Sequence, residues 1–254
     1  MGLRHVITAP LLFLAAAAVN AESAAPACAH ERDLSAKMTA IAREQPAYVA
    51  ATLERIDGTG RRLLALRSYL RSADSISDRW SWSREEIDAF DASDEQRRLL
   101  AEIERVRARF ETANPGYQLY ANTAVRSLDL QLERWNSNPS VATLSADILR
   151  ATCANRAVHA SAAALGRWLR AWIPPRPAPL AAPGLSAHGR ARAIDFQVHR
   201  RGRVVAGPEI ASISRDWVTA GWAAKVAAAV RTGSGRFIGP LAQPNEPWHF
   251  EYRP

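Results

Sequence analysis

Two cysteines, Cys28 and Cys153, are all that the chain has in 254 residues. No histidine stands at ligand spacing beside either, which excludes a cysteine-based zinc site. No internal repeat is evident, which removes solenoids and arrays, and no nucleic-acid-binding motif is recognisable. The net charge of +8, carried mostly by arginine, therefore favours an anionic partner without choosing nucleic acid. The apolar run Val6 to Val19, interrupted by Thr8 and Pro10, is too short for a comfortable membrane span. Composition is otherwise ordinary, and 48% apolar with 23% charged residues suits a globular chain with a sizeable core.

The apolar run has another use. Arg4 and His5 precede it, and Val19-Asn20-Ala21 offers small residues for cleavage before Glu22, the pattern of a secretory signal peptide over residues 1–21. The expected location is periplasmic or secreted, with no stable membrane insertion after cleavage. Ala25-Pro26-Ala27 lacks the leucine that precedes a lipid-anchored cysteine, so Cys28 is not read as an anchor. Export brings oxidising conditions, and a Cys28–Cys153 disulfide is predicted.

The chain beyond reads first as scaffold. Asp33 to Leu70 is helical with a break at Asp57-Gly58-Thr59-Gly60, its apolar residues Ile41, Val49, Leu53, Ile56, Leu63, Leu66 and Leu70 approximating a helical face. Ser83-Arg84-Glu85-Glu86 and Ser93-Asp94-Glu95-Gln96 have capping-box form. The second opens an amphipathic helix with Leu99, Leu100, Ile103, Val106 and Phe110 on one side. Trp80 and Trp82 are expected to pack between helices. Asn114-Pro115-Gly116 closes this helical region, drawn over residues 22–112, and opens a second domain over 113–254.

In that second part Tyr117 to Thr123 reads as a strand, Ser127 onward as a helix, and Ser140 to Trp172 as mostly helix. Pro174, Pro175, Pro177, Pro179 and Pro183 then exclude regular helix and stiffen a path suited to walling a cleft. Arg201-Gly202 turns a hairpin from Asp195 to Val205. Ser214 to Val230 is an alanine-rich helix, and Arg236-Phe237-Ile238 a short strand. The expected fold class is α+β, with a small antiparallel sheet packed with helices and a helical N-terminal region ahead of it.

Chemistry concentrates near the C-terminus. In Ala193 to Val198 the apolar Ile194, Phe196 and Val198 alternate with Asp195 and Gln197, so Asp195 points away from the core. His188 precedes it, after the turn-forming Pro183-Gly184, and a loop can bring it back over the strand. In the stretch Trp248 to Tyr252, His249 and Glu251 share one face, and Pro247 suits the first residue of an edge strand. Glu246 stands in the turn ahead. His188, Asp195 and His249 thus supply three ligands for zinc, which leaves a fourth position to water and lowers its pKa from about 16 to about 7. Glu246 is close enough to take the proton. His199, beside Arg200 and Arg201, is read as a surface residue.

The stretch PGLSAHGRARAIDF resembles the S-x-H-x-x-G-x-A-x-D motif of VanY-type D-alanyl-D-alanine carboxypeptidases and their dipeptidase relatives, and EPWHFEY is similar to their E-x-W-H motif. These belong to the LAS group of zinc peptidases. The resemblance implies zinc on His188, Asp195 and His249, with Glu246 as catalytic base. It implies a strand followed by an Arg-Ser segment with a glutamine five residues later, matched by Arg126, Ser127 and Gln131. Arg126 is then expected to face the zinc and stabilise an oxyanion, with Ser186 and Gln131 binding substrate. Leu66-Arg67-Ser68-Tyr69 is a rival for the arginine, set aside because no strand precedes it. Ala191 stands where the motif has glycine, a change that costs little unless the backbone there needs a positive φ.

The implied function is hydrolysis of peptidoglycan stem peptides, with a carboxypeptidase preferred over an endopeptidase. A competitor of another class is a cell-wall-binding protein with structural zinc. Glu246 argues against it, since a structural site closes all four positions and has no use for a base.

Overall fold

The computed structural model describes residues 31–178 and 180–254; the expected signal peptide over 1–21, Cys28 and Pro179 lie outside the described residues. The chain builds two hydrophobic cores whose elements interleave in sequence.

The first core is helical. Helices α1 (Glu31–Arg43), α2 (Ala47–Glu54) and α3 (Thr59–Arg71) contribute Leu34, Val49, Leu63, Leu66 and Tyr69, and the turn between α2 and α3 adds Ile56, all buried. The expected break lies at Gly58, whose φ of 73° starts α3. A second break is found at Pro46, which sits ahead of α2 and has no N–H to continue the helix before it. The short α4 (Ile76–Arg79) follows. Helix α5 (Arg84–Asp91) opens on a complete capping box, with Ser83 and Glu86 each accepting from the other's backbone N–H. Ser93 caps α6 (Asp94–Ala113) in the same way, but Gln96 turns its amide to Asp91, so that box is half formed.

Helices α7 (Leu128–Ser137), α8 (Pro139–Ala154) and α9 (Ala162–Ala171) return to the first core, where α8 and α9 lie against α3. Trp135, Leu144, Ile148 and Leu165 fill the space between them, with Cys153 at the edge. Trp80 packs on Tyr48 and Tyr69, and Trp82 on Phe90, as expected.

The second core lies between the sheet, α6 and α10 (Trp222–Gly233). Strands β1 (Gln118–Asn122), β2 (Ala193–Arg200), β3 (Arg203–Ala206), β4 (Phe237–Ile238) and β5 (His249–Tyr252) form one antiparallel sheet in the order β1-β2-β5-β4, with β3 also paired to β2. In β2 the residues Ile194, Phe196 and Val198 are buried while Asp195, Gln197 and His199 are half-buried, the alternation expected of a strand with one face on a core. The fold is therefore the expected α+β class, with the histidine and aspartate group on the sheet.

Two local readings differ. Leu100 is 42% exposed, because it lies about one-quarter turn off the line of Leu99, Ile103, Val106 and Phe110. The helix expected over Ser214 to Val230 is broken. Residues Ile213–Thr219 wind as a π-helix, Gly221 takes φ 75°, and α10 begins at Trp222. A left-handed residue interrupts the helical ladder, and glycine adopts it at no steric cost. No helix among the described residues is long and apolar enough to cross a membrane.

Candidate metal site

Strand register sets two of the candidate ligands. Asp195 stands directly opposite His249 across the β2–β5 ladder, with Asn122 of β1 on its other side. Side chains opposite one another in a ladder leave the sheet on the same face. Ile194, Phe196 and Phe250 bury the other face, so Asp195 and His249 emerge together. Backbone bonds close the turn ahead of β5: His249 N–H donates to Glu246 O at 3.0 Å and Glu246 N–H to Leu241 O at 3.0 Å.

His188 arrives differently, on a 3-10 turn over Ala187–Arg190. This loop is held from outside the sheet. Ser81 N–H donates to Gly184 O at 2.8 Å, Trp82 N–H to Gly189 O at 2.9 Å, and Arg126 N–H to His188 O at 3.0 Å. Tyr69 of the first core donates its hydroxyl to Pro183 O at 2.7 Å, and burial pushes that phenol's pKa up. Gly184 has φ 89° and lies where a Cβ would come 2.6 Å from the Trp80 ring. Ala191, at the motif's glycine, has φ 53°. The condition under which alanine costs stability is thus met, by about 1 kcal/mol for a non-glycine residue in that region.

The donor atoms converge. His188 Nε2 and His249 Nδ1 are 3.2 Å apart, His249 Nδ1 is 3.1 Å from Asp195 Oδ1, and His188 Nε2 is 3.4 Å from Asp195 Oδ2. Atoms held about 2.0–2.1 Å from a tetrahedral zinc lie roughly 3.3 Å from one another. The three side chains already have that spacing, and two imidazoles with one carboxylate are a donor set that suits zinc. Among the described residues this is the group of histidine and acid side chains that could hold a metal ion.

Comparison with family models, curated proteins and solved structures gives no match. The chemistry of the site is therefore argued from its own residues.

Glu246 Oε2 is 3.7 Å from His249 Nδ1, and Arg126 Nη2 is 3.7 Å from Asp195 Oδ2. Both line a cleft of about 950 Å³ together with His188, Asp195, His249 and Ser186. Burial lowers the His188 pKa, favouring the neutral ring that can ligate. Burial alone would raise the Asp195 carboxyl, but hydrogen bonds from His188 and His249, with their charge, hold it well below the ordinary carboxylate range. Glu246 is raised, chiefly by burial and further by Asp195, against the opposing pull of His249 and Arg126.

The remaining expected residues fall in different places. Ser186, 8% exposed, lines the cleft. Gln131 does not: it is 6% exposed and its amide is committed internally. Its Nε2 donates to Ser81 Oγ at 2.9 Å and Arg126 O at 2.8 Å, while its Oε1 accepts from Gly184 N–H at 3.0 Å. Of the two arginines weighed in the sequence, Arg126 is the one paired with Asp195. Arg67 lines the same cleft, but its Nε donates to Trp172 O at 2.8 Å and its guanidinium lies over the Trp172 ring. His199 stacks on Tyr120 and is not part of the ligand group. Ala178, Leu180 and Ala182, from the proline-rich path, line the cleft as expected. The clamp of Ser81, Gln131 and Tyr69 on the loop has no local sequence signal, since its members are far apart in the chain.

Proposed function

We propose that the chain is an exported zinc metallopeptidase of the VanY-type D-alanyl-D-alanine carboxypeptidase kind, cleaving peptide bonds of peptidoglycan stem peptides. One observation carries this reading: an acid and a cation, Glu246 and Arg126, flank the His188, Asp195 and His249 group within one cleft. A purely structural metal site has no need of either.

His188, Asp195 and His249 would hold the zinc, which when bound supplies Lewis acidity, making water a better nucleophile near neutral pH and polarising the peptide carbonyl. Glu246 takes a proton from the attacking water as the water oxygen bonds to the carbonyl carbon. Burial raises its pKa in the metal-free protein, which strengthens it as a base relative to a solvated glutamate. The carbonyl π electrons move onto oxygen, and Arg126, which keeps its proton even when largely buried, places positive charge beside that developing anion. As the carbonyl re-forms and the C–N bond breaks, Glu246 returns its proton to the leaving amine. Ser186 offers a hydroxyl to substrate at the cleft wall. Gln131 serves the site by positioning Arg126 and the His188 loop.

The preferred bond is the one releasing a terminal D-alanine, with endopeptidase cleavage as the alternative. Mass spectrometry of muropeptides incubated with the zinc-loaded mature chain decides between them. Loss of one alanine supports the carboxypeptidase, and splitting of cross-linked dimers assigns an endopeptidase. Unchanged muropeptides with zinc demonstrably bound overturn the peptidase reading. Mass analysis of the same secreted chain before and after reduction tests the proposed Cys28–Cys153 disulfide.

A further inference from the structure

The cleft carries a second charged feature that the proposed chemistry leaves unused. Arg67 and Arg71 of α3, Arg79 of α4 and Arg134 of α7 line it along with Arg126. Their hydrogen bonds go to neutral oxygens: Arg67 to Trp172 O, Arg71 to Arg170 O at 2.8 Å and Arg79 to Ser72 Oγ at 3.0 Å. No carboxylate among the described residues forms an ion pair with any of the four.

Exposed arginines elsewhere, Arg98, Arg109 and Arg203 among them, also lack an ion pair among the described residues, so what distinguishes these four is that they gather in one cleft, while others are neutralised one by one. Arg84, Arg107, Arg150 and Arg176 each meet an acid. Within the cleft the acids are Asp195, Glu246 and Glu251, and the first two already belong to the candidate metal site. The arginines also crowd one another. After burial, Arg134 is the largest influence lowering the Arg126 pKa, and Arg71 does the same to Arg67. Like charges gathered without counter-charges are unfavourable in the empty protein and favourable once an anion enters. A guanidinium fork matches a carboxylate in both spacing and plane.

We propose that Arg67, Arg71, Arg79 and Arg134 form a carboxylate-recognising wall, supplied by the helical core, that selects peptides carrying a free carboxylate at a distance from the bond to be cut. This rests on the peptidase reading for the nature of the ligand, but it can be tested by binding alone. Arg67 is half-buried and holds the Trp172 carbonyl, so the three exposed arginines are the ones to replace.

The test is calorimetric titration of the zinc-loaded Glu246→Gln chain with two peptides ending in D-Ala-D-Ala, one bearing a glutamate upstream of the terminal pair and the other a glutamine. The glutamate peptide is expected to bind about tenfold more tightly at low salt, with the gap closing as salt is raised. In the Arg71→Gln/Arg79→Gln/Arg134→Gln background its affinity should fall to that of the glutamine peptide, with zinc content and Tm retained. Equal affinity for both peptides before the arginines are replaced, or parallel weakening of both afterwards, overturns the wall. Discrimination that disappears with the arginines, while the unsubstituted chain cleaves neither peptide, sinks the peptidase reading alone, and discrimination that persists without them sinks the wall. Cleavage without discrimination sinks the wall alone.

Discussion

The candidate ligands reach one point by two constructions. Asp195 and His249 are neighbours in a strand ladder, so ordinary sheet register brings them together. His188 rides a loop whose place depends on side chains from elsewhere, above all Gln131, Ser81 and Tyr69. The sheet half is local hydrogen bonding on an apolar face. The loop half is a clamp that exists only when the helical core is folded against it, so the helical region takes part in shaping the site.

The largest effect tests the chemistry both halves serve. Glu246→Gln should cut peptide hydrolysis by about 10²–10⁴-fold while zinc stays bound, read by parallel kinetics and metal analysis. Loss of zinc together with activity would instead make Glu246 part of the metal's own coordination. Next comes the clamp. Gln131→Ala leaves Gly184 N–H and Arg126 O without a side-chain partner in a buried place, and should cost about 2–3 kcal/mol in denaturant unfolding. Zinc affinity should fall on the order of tenfold through the displaced His188 loop. An unchanged affinity would show that His188 keeps its place without the helical core, and the contrast between the halves would collapse.

Gly184→Ala attacks the same loop through its backbone. The added methyl meets the Trp80 ring at a positive φ, and a loss of about 1–3 kcal/mol is expected from the shift in Tm.

Acid should act on both halves of the metal-free chain. Asp195 has its pKa depressed in the fold, so its stabilisation is complete above the unfolded value of about 3.9 and is lost as pH falls from there toward the folded value. His188 is also lowered, so acidification below its unfolded value of about 6.5 favours the unfolded chain. Glu246, raised in the fold, has the opposite sign and disfavours folding as pH rises past about 4.3. Thermal unfolding against pH should therefore show the two losses on the acid side.

The smallest change runs the other way. Ala191→Gly relieves a left-handed alanine and should stabilise by up to about 1 kcal/mol, since glycine's greater freedom in the unfolded chain offsets part of the gain.

Much of the fold was legible in particular residues. Alternation at Ile194, Phe196 and Val198 marks β2, and Ser83 with Glu86 marks the start of α5. Pro46 and Gly221 break two expected helices, the first by lacking an N–H and the second by a left-handed backbone. Gln131 illustrates what was not legible. The family resemblance implies a residue facing substrate there, yet the fold turns its amide inward onto Ser81 and Gly184.

By itself the sequence determined which side chains could serve as ligands and base, and which strand face would carry them, because donor chemistry and period-two patterning are local properties. Only the tertiary structure decided that His188 meets Asp195 and His249 at about 3 Å, that Arg126 rather than Arg67 pairs with Asp195, and that arginines of the helical core line the same cleft. The physical reason is that those contacts join residues far apart in the chain, held by packing and buried hydrogen bonds that no short window contains.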